Sequence, residues 1–509
     1  MRKFLSLVPI LATVFATSTA EAVYEAKSDT GTEFFNYVEN RRREVREQQL
    51  TEEQEKLLDD IAEAKNNLPQ EQKEGDPVPA VFEGDDLVYY SGSGEFIATG
   101  KVDIIQLDGY RFQSEEARGN VKEQFVRVDD KAHVLQLTQG APRVTLDGYK
   151  TVYNYGKKTG TMGAANGKVG EYYLTGKRFE FYPDHIVVYD ATQTKCGAKS
   201  PDYHVSAERM EIWPEQVMKM YSVKFLVKGN VVGSRDYMER TFEETGENYF
   251  PRVGYNSDHG VYVRDDFKIP LGNHFDFVIG AYVESKKGVR SNVELKYGNR
   301  NFGGRLKYGF YDDDDARWIQ KEPSLELYYG RKIKNLPLTY GLKGEIGHWR
   351  QDNVAATRQE YELSLSHDPI FMGKYLMFLG TSYKITKDDA KNVPNGNTTV
   401  RGMNWTALVG REFNDRLAAY VSYSYTKNTS KNSVFDFDLD DYAKKFQAGI
   451  SYAVTPHDRF VIGVKMDADN HKLDDIDYYW YRDLHCSQAV IRWRGKRKKL
   501  EVHWEFVPW

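Results

Sequence analysis

The chain has 509 residues, a formal net charge of −5 and two cysteines. So small a negative charge gives a polyanion nothing to bind, and nucleic acid is not expected as a partner. The mean hydropathy of −0.65 reads as water-soluble, yet 36 Tyr, 26 Phe and 8 Trp argue against a routine soluble domain.

Arg2 and Lys3 precede an almost unbroken apolar stretch from Phe4 to Thr17, and Ala20-Glu21-Ala22 supplies small residues for a signal peptidase. Residues 1–22 are therefore expected to be a signal peptide for export. In the oxidising compartment beyond, a lone cysteine pair, Cys196 and Cys486, is most simply a disulfide. Thr32 to Asn67 reads as a short charged helix whose apolar stripe (Val38, Val45, Leu50, Leu57, Ile61) is broken. A solvated spacer is expected there, with a partner-bound coiled coil as the alternative. Gln70 to Pro79, with charges and two prolines, looks like a linker, so residues 23–79 form spacer plus linker.

From 80 to 232 the pattern changes to short β segments between Gly and Asp turns. Phe96 to Ile104, Phe125 to Val128, Val134 to Thr138, Tyr172 to Phe181 and His185 to Tyr189 each suit a half-buried strand. Three stretches (GEFIATGKVDI, GAPRVTLDGYKTVYNYGKKTG, GTMGAANGKVGEYYLTGKRFEFY) share a strand–turn–strand pattern. A repeated β unit implies strands stacked over one long core, as in solenoids and elongated jelly rolls. Residues 233–248 are then a connection.

From 249 to 509 the period is two, in segments of the ~9–11 residues that cross a bilayer as tilted strands. Examples are Phe275 to Val283, Arg305 to Phe310, Leu417 to Tyr425, Phe446 to Tyr452, Phe460 to Met466 and Leu500 to Phe506. Such strands have to close, because hydrocarbon satisfies no backbone group. About sixteen strands are predicted. The longer connections (Asp312 to Lys321, Gln351 to Ala356, Lys387 to Val400, Asn428 to Asp441) then fall on one side, opposite the barrel termini. The same parity puts Cys486 at a turn on the periplasmic side.

The fold class is thus all-β: a repeated-strand domain followed by an antiparallel transmembrane barrel. No segment is apolar for long enough to span as a helix. No nucleotide-binding loop, nucleophile elbow or metal-ligand spacing is discernible, so neither an enzyme, a cofactor nor a metal is expected.

Several stretches carry a family resemblance. ATQTKCGAKSPDYHVSAERMEIWPEQVMKMYSVKFLVKGNVV (Ala191 to Val232) resembles the end of the periplasmic domain of the LptD (OstA) family of lipopolysaccharide-assembly proteins. YFPRVGYNSDHGVYVRDDFKIPLGNHFDFVIGAYVESKKGVRSNVELKY (Tyr249 to Tyr297) is similar to that family's first barrel strands. YRDLHCSQAVIRW (Tyr481 to Trp493) resembles its C-terminal cysteine-bearing turn and strand. Three features depart from the family. Only Pro251 lies in the connection, the barrel is short, and there is one cysteine pair where the family often has two.

The resemblance implies an outer-membrane protein with its N-terminal domain in the periplasm, moving lipopolysaccharide into the outer leaflet. It also implies an LptA-like periplasmic bridge and raises an LptE-like plug lipoprotein, and it matches a Cys196–Cys486 interdomain bridge. Acyl chains would be shielded by alternate residues Phe96, Val102, Ile104, Phe112, Leu135, Leu137, Phe179 and Phe181, or these simply form a closed core. The glycan would use the aqueous lumen that sixteen strands enclose. Arg494, Lys496, Arg497, Lys498 and Lys499 form a basic hairpin that is a candidate contact for lipid phosphates. The alternative function is a passive porin or solute channel with a periplasmic anchoring domain.

Overall fold

The computed structural model describes residues 33–67, 78–138, 143–198, 200–213, 216–241, 252–299, 301–312, 318–391, 393–429, 433–435 and 443–506. The expected signal peptide, most of the linker and the end of the connection lie outside them. Two compact units divide the chain: residues 43–248, and a barrel unit made of residues up to 42 together with 249–505.

In the first unit a 12-stranded sheet runs as an antiparallel meander. Its strands are β1 (Ala80–Glu83), β2 (Asp86–Tyr90), β3 (Glu95–Gln106), β4 (Tyr110–Asn120), β5 (Phe125–Gln136), β6 (Val144–Asn154), β7 (Thr159–Val169), β8 (Tyr172–Phe181), β9 (Ile186–Thr194), β10 (Tyr203–Trp213), β11 (Val217–Val227) and β12 (Asn230–Thr241). The segments Phe125 to Val128 and Val134 to Thr138, predicted as separate strands, are two halves of β5. Strand β12 also runs on to Thr241, beyond the expected domain end at 232.

A seam of pairing irregularities crosses the strands near their middles. Register breaks fall between Thr99 and Val102, Gln113 and Arg118, and Val128 and Lys131. Lys101, Lys150, Asp190 and Ser222 hold positive φ along the same line. Each such bulge bends its strand, and from β6 onward it also shifts the alternation by one. Buried positions in β8 run Tyr172, Leu174, then Phe179; in β9, Val188, then Ala191; in β11, Met220, then Val223. A one-residue shift turns side chains to the opposite face. The bend returns them to the same interior, so each strand serves two leaves that face one another. Tyr110 of one leaf lies 5.7 Å from Tyr153 of the other, ring to ring, and Lys158 pairs with Asp108 at 3.0 Å across the gap. The turns read inside the sequence repeat, such as Gly100-Lys101, are these bends.

The charged stretch is not a solvated spacer. It forms two helices, α1 (Glu33–Gln48) and α2 (Glu52–Asn66). Thr51 caps α2, its side chain accepting from the Gln54 backbone N–H while the Gln54 side chain returns the bond. Leu57 and Ile61, one turn apart, bury against Ile105, Leu107 and Leu135 on the outer face of the first leaf.

The barrel unit is a closed antiparallel barrel of 16 strands, as the alternation predicts. It runs from β13 (Arg252–Asn256) and β14 (Gly260–Gly272) to β28 (Ser487–Arg494) and β29 (Lys499–Phe506), with the short arm β21 (Ile370–Met372) beside it. In β24 (Leu417–Asn428), Val421 and Tyr423 point outward and exposed while Ala418, Tyr420 and Ser422 are buried inward. In β26 (Asp458–Asp467), Phe460 and Ile462 face out, and Val461, Lys465 and Asp467 face in. Apolar outside and polar inside is the pattern of a membrane-spanning barrel. A shallow apolar hollow of about 440 Å³, lined by Leu327, Leu342, Tyr361, Leu363 and Tyr383, belongs to this outward face. The end where β13 begins and β29 finishes, here the terminus end, also carries the turn holding Cys486. The strand ends Asp312 and Trp318, Asp389 and Asn397, and Asn428 and Lys444 all lie at the far end.

Candidate functional site

Between the leaves of the first unit lies a cavity of about 260 Å³. Its walls are mostly apolar, with Phe112, Val134, Val144, Met162, Phe181 and Ile186 beside Tyr153, and Gln136, Thr151, Lys158, Asp184, His185 and Gln216 supply a polar share. The Phe112 and Tyr153 rings lie 5.2 Å apart across the leaves, and Tyr153 is 6.3 Å from Phe181. Burial raises the Tyr153 phenol far above its ordinary range and Tyr110 in the same direction, so both stay neutral hydrogen-bonding groups. At the rim, Tyr182, His185 and Trp213 stack in series, with centroids 4.5 and 4.9 Å apart. His185 Nδ1 is 2.8 Å from Asp184 Oδ1, and burial is outweighed by this bond in holding the Asp184 carboxyl below its usual pKa. An apolar slot beside a flat polar-edged stack suits an amphipathic molecule: alkyl chain inside, polar head at the rim.

The eight expected lipid-path residues divide. Phe96, Val102, Ile104, Phe112 and Phe179 are buried between the leaves, and Phe112 and Phe181 line the cavity itself. Leu135 and Leu137 do not line the interior: they lie on the outer face beneath α2. Strict alternation from Val134 explains it, since neighbours on a strand point to opposite sides. Sequence reading missed Tyr153, Met162 and Ile186; of these, Tyr153 lies beyond the bend of its strand at Lys150.

The barrel lumen is the second candidate. A ladder of buried charges crosses neighbouring strands: Lys307 lies 2.9 Å from Glu326 and 3.6 Å from Glu345, and Lys343 lies 2.9 Å from Glu326. Arg358 pairs with Glu360 at 3.1 Å and Asp388 at 3.3 Å, and Lys384 with Glu360 at 2.9 Å. Each carboxylate has a cation beside it, as a desolvated charge requires. At the far end Phe435 is buried against Ile319, Trp349, Ala356 and Ala390, and Arg358 sits over the rings of Trp349 and Phe435 at 4.6 and 5.6 Å. At the terminus end Phe34, Phe35 and Val38 of α1 bury against inward residues of the wall. The expected open aqueous lumen is therefore occupied in part by the protein's own side chains.

The basic hairpin is largely internally paired rather than a free phosphate patch. Arg494 is buried 3.5 Å from Glu501, Arg497 lies 3.1 Å from Asp475 and Lys499 2.6 Å from Asp258, while Lys496 donates to the Leu473 carbonyl at 2.9 Å. Lys498 is exposed. Alternation again decides: Arg494 belongs to the inward row of β28. Neither cysteine is free; Cys196 and Cys486, the chain's two, are disulfide-bonded, as expected. Their bridge closes a loop of about 290 residues.

No protein-family model matches the chain, and no curated protein does either. Among solved structures, the OmpT loop L8 deletion mutant of Vibrio cholerae is similar over 50% of this chain and 94% of that one, at 10% identity and a TM-score of 0.25. A porin mutant of Rh. blastica matches over 51% and 98%, at 9% identity and a TM-score of 0.28. A bacterial polysaccharide outer membrane secretin matches over 61% and 93%, at 8% identity and a TM-score of 0.29.

Proposed function

We propose that this protein takes an amphipathic glycolipid of the lipopolysaccharide class through its two-leaved β domain and delivers it to the outer leaflet of the outer membrane. The observation that carries the reading is the apolar inter-leaf cavity, open at a rim of stacked Tyr182, His185 and Trp213. Each methylene kept from water there is worth about 0.8 kcal/mol, so an alkyl chain has a strong reason to occupy it. A barrel with an apolar outward face suits the outer membrane, with the β domain on the periplasmic side. The closing pair β13–β29 supports sideways release: among the described residues it joins by four register pairs, Val253↔Trp504 to Asn256↔Glu501, whereas β15 (Phe275–Glu284) and β16 (Gly288–Gly298) share ten. Exposed Leu87, Val88, Tyr89 and Tyr90 on the edge strand β2 suit an LptA-like bridge. An LptE-like plug is a weaker expectation, because α1 already occupies part of the lumen.

The second reading is a passive solute channel. The barrel fits it, but Phe34, Phe35 and Phe435 inside the lumen work against an open pore. Depletion in the native bacterium separates the two. The glycolipid reading expects surface lipopolysaccharide to fall and to accumulate on the periplasmic side while small-solute uptake stays normal. Lost solute uptake with a normal surface would establish the channel instead.

A further inference from the structure

We infer that the first ten residues of α1, Glu33 to Arg42, are a built-in plug that holds the barrel shut at its terminus end. The inference goes beyond the glycolipid reading and does not depend on it. Three independent features support it.

The tip of the plug is apolar and fully inserted. Phe34, Phe35 and Val38 are each 2% exposed. Spaced i, i+1 and i+4, they share one helical face, and that face meets Leu376, Tyr420, Val461, Tyr479 and Val490 of the inner wall. The Tyr420 ring lies 5.8 Å from Phe34 and 5.3 Å from Phe35, and Tyr37 lies edge-on to Phe378 at 5.4 Å. Apolar residues facing inward at this height contrast with the ladder of paired charges further along the lumen. Wall and helix are complementary there.

The wall also makes room for the plug. A Cβ on Gly410 would lie 2.2 Å from the Phe34 ring, and one on Gly449 would lie 2.5 Å from the Tyr420 ring of the wall and 3.0 Å from the Phe35 ring. Gly410 is in β23 (Asn397–Asn414) and Gly449 in β25 (Lys444–Ala453), the strands flanking β24. Gly410 seats Phe34 directly, and Gly449 leaves space for the packed pair of Tyr420 and Phe35.

A polar collar fastens the helix at the rim. Arg42 Nε lies 3.3 Å from Glu412 Oε2, and its Nη2 donates to the Asn414 carbonyl at 3.0 Å. Arg42 also bonds Glu39 at 2.8 Å, Glu39 faces Arg459 at 4.0 Å, and Arg41 lies 5.3 Å over the Phe371 ring. These partly exposed contacts are individually weak, so the collar can release while the seat restores closure. A sixteen-strand barrel otherwise leaves a water-filled channel. A helix of ~10–12 Å diameter removes much of that bore.

The test is ion conductance of the full-length protein, purified from membranes and reconstituted in planar bilayers in potassium chloride. Wild type is expected to stay mostly closed. The double variant Phe34→Asp/Phe35→Asp should raise mean conductance at least fivefold, while Phe34→Leu/Phe35→Leu stays near wild type. Gly410→Ala leaves the helix sequence intact and pushes on Phe34 from the wall, so it should open the channel as well. Heat-modifiable gel migration identifies closed barrels. If the double Asp variant fails that check, Gly410→Ala alone decides. Wild type conducting as an open porin-sized channel, or folded variants conducting no more than wild type, would overturn the plug.

Discussion

Arg111 Nη1 lies 2.9 Å from Asp60 Oδ2, tying α2 to the outer face of the sheet. The guanidinium is 4% exposed and also pairs with Asp103, its neighbour across β3 and β4. The two carboxylates hold the guanidinium pKa above its ordinary value despite burial. Arg111 therefore clamps the helix over Leu135 and Ile105.

Arg111→Ala should destabilise the β domain by about 3 kcal/mol, the lower end for breaking a buried pair, because Asp60 keeps some solvent. Asp60→Asn should cost about 1 kcal/mol. Thermal melting of the full chain in detergent reads the loss, and proteolysis within α2 reads the release of the helix. Equal melting and equal cleavage of wild type and Arg111→Ala would show that the clamp does no more than decorate the surface.

The barrel was legible because one periodicity governs it from end to end. Val421 and Tyr423 against Tyr420 and Ser422 is the same alternation that Phe460 and Ile462 make against Val461. The β domain was legible only as strands. Its bends insert a residue, in β6 at Lys150, after which a strict period of two assigns the wrong face, and this concealed Tyr153. The plug was hidden for another reason. Its face is a cluster of Phe34, Phe35 and Val38 followed at once by Arg41, Arg42 and Arg43, so averaged charge outweighed three apolar residues. Two adjacent aromatics one turn before an isolated valine were the available signal.

Acid should weaken the contact between β5 and β6. His133 bridges Glu53 at 2.8 Å and Asp147 at 3.0 Å, with Lys131 also at 3.2 Å from Asp147. Burial would raise the Asp147 pKa, but the His133 and Lys131 contacts outweigh it and depress the value. A depressed carboxyl contributes stability present above its unfolded pKa, about 3.9, and lost as pH falls through the folded value. Wild type and Asp147→Asn should therefore differ in melting temperature at neutral pH and converge as the pH falls through the depressed folded value. A difference independent of pH would refute the linkage.

The disulfide makes a redox prediction. In the chain-entropy model a loop of about 290 residues contributes roughly 5.7 kcal/mol, less any native strain. The oxidised protein, denatured without reductant, should migrate faster than the reduced form. Cys486→Ser should expose one alkylatable thiol at Cys196. Identical mobility with two alkylatable thiols in denatured wild type would exclude the bridge.

Phe435, 1% exposed, belongs to the connection between Asn428 and Lys444 and packs against Ile319, Trp349, Ala356 and Ala390 of the barrel. Phe435→Ala should cost about 3 kcal/mol locally, enough to free that connection without opening the strand ladders. Added protease should then cut there in intact cells, while heat-modifiable migration remains. Resistance equal to wild type would mean that other contacts hold the connection.

The strongest check on the glycolipid reading contrasts neighbouring positions of the same sheet. Phe112 and Phe181 line the inter-leaf cavity, whereas Leu135 is just as apolar but lies under α2. A photo-reactive phenylalanine analogue at either cavity position should capture lipopolysaccharide in living cells. The same analogue at Leu135 should capture none, because its side chain points to the opposite side of the leaf. Composition and hydrophobicity do not separate these sites; only the face does. Capture at Leu135 equal to that at Phe112 would place the lipid outside the leaves or report general stickiness. No capture at any position, with the variants folded and the lipid actively exported, would remove the cavity from the route.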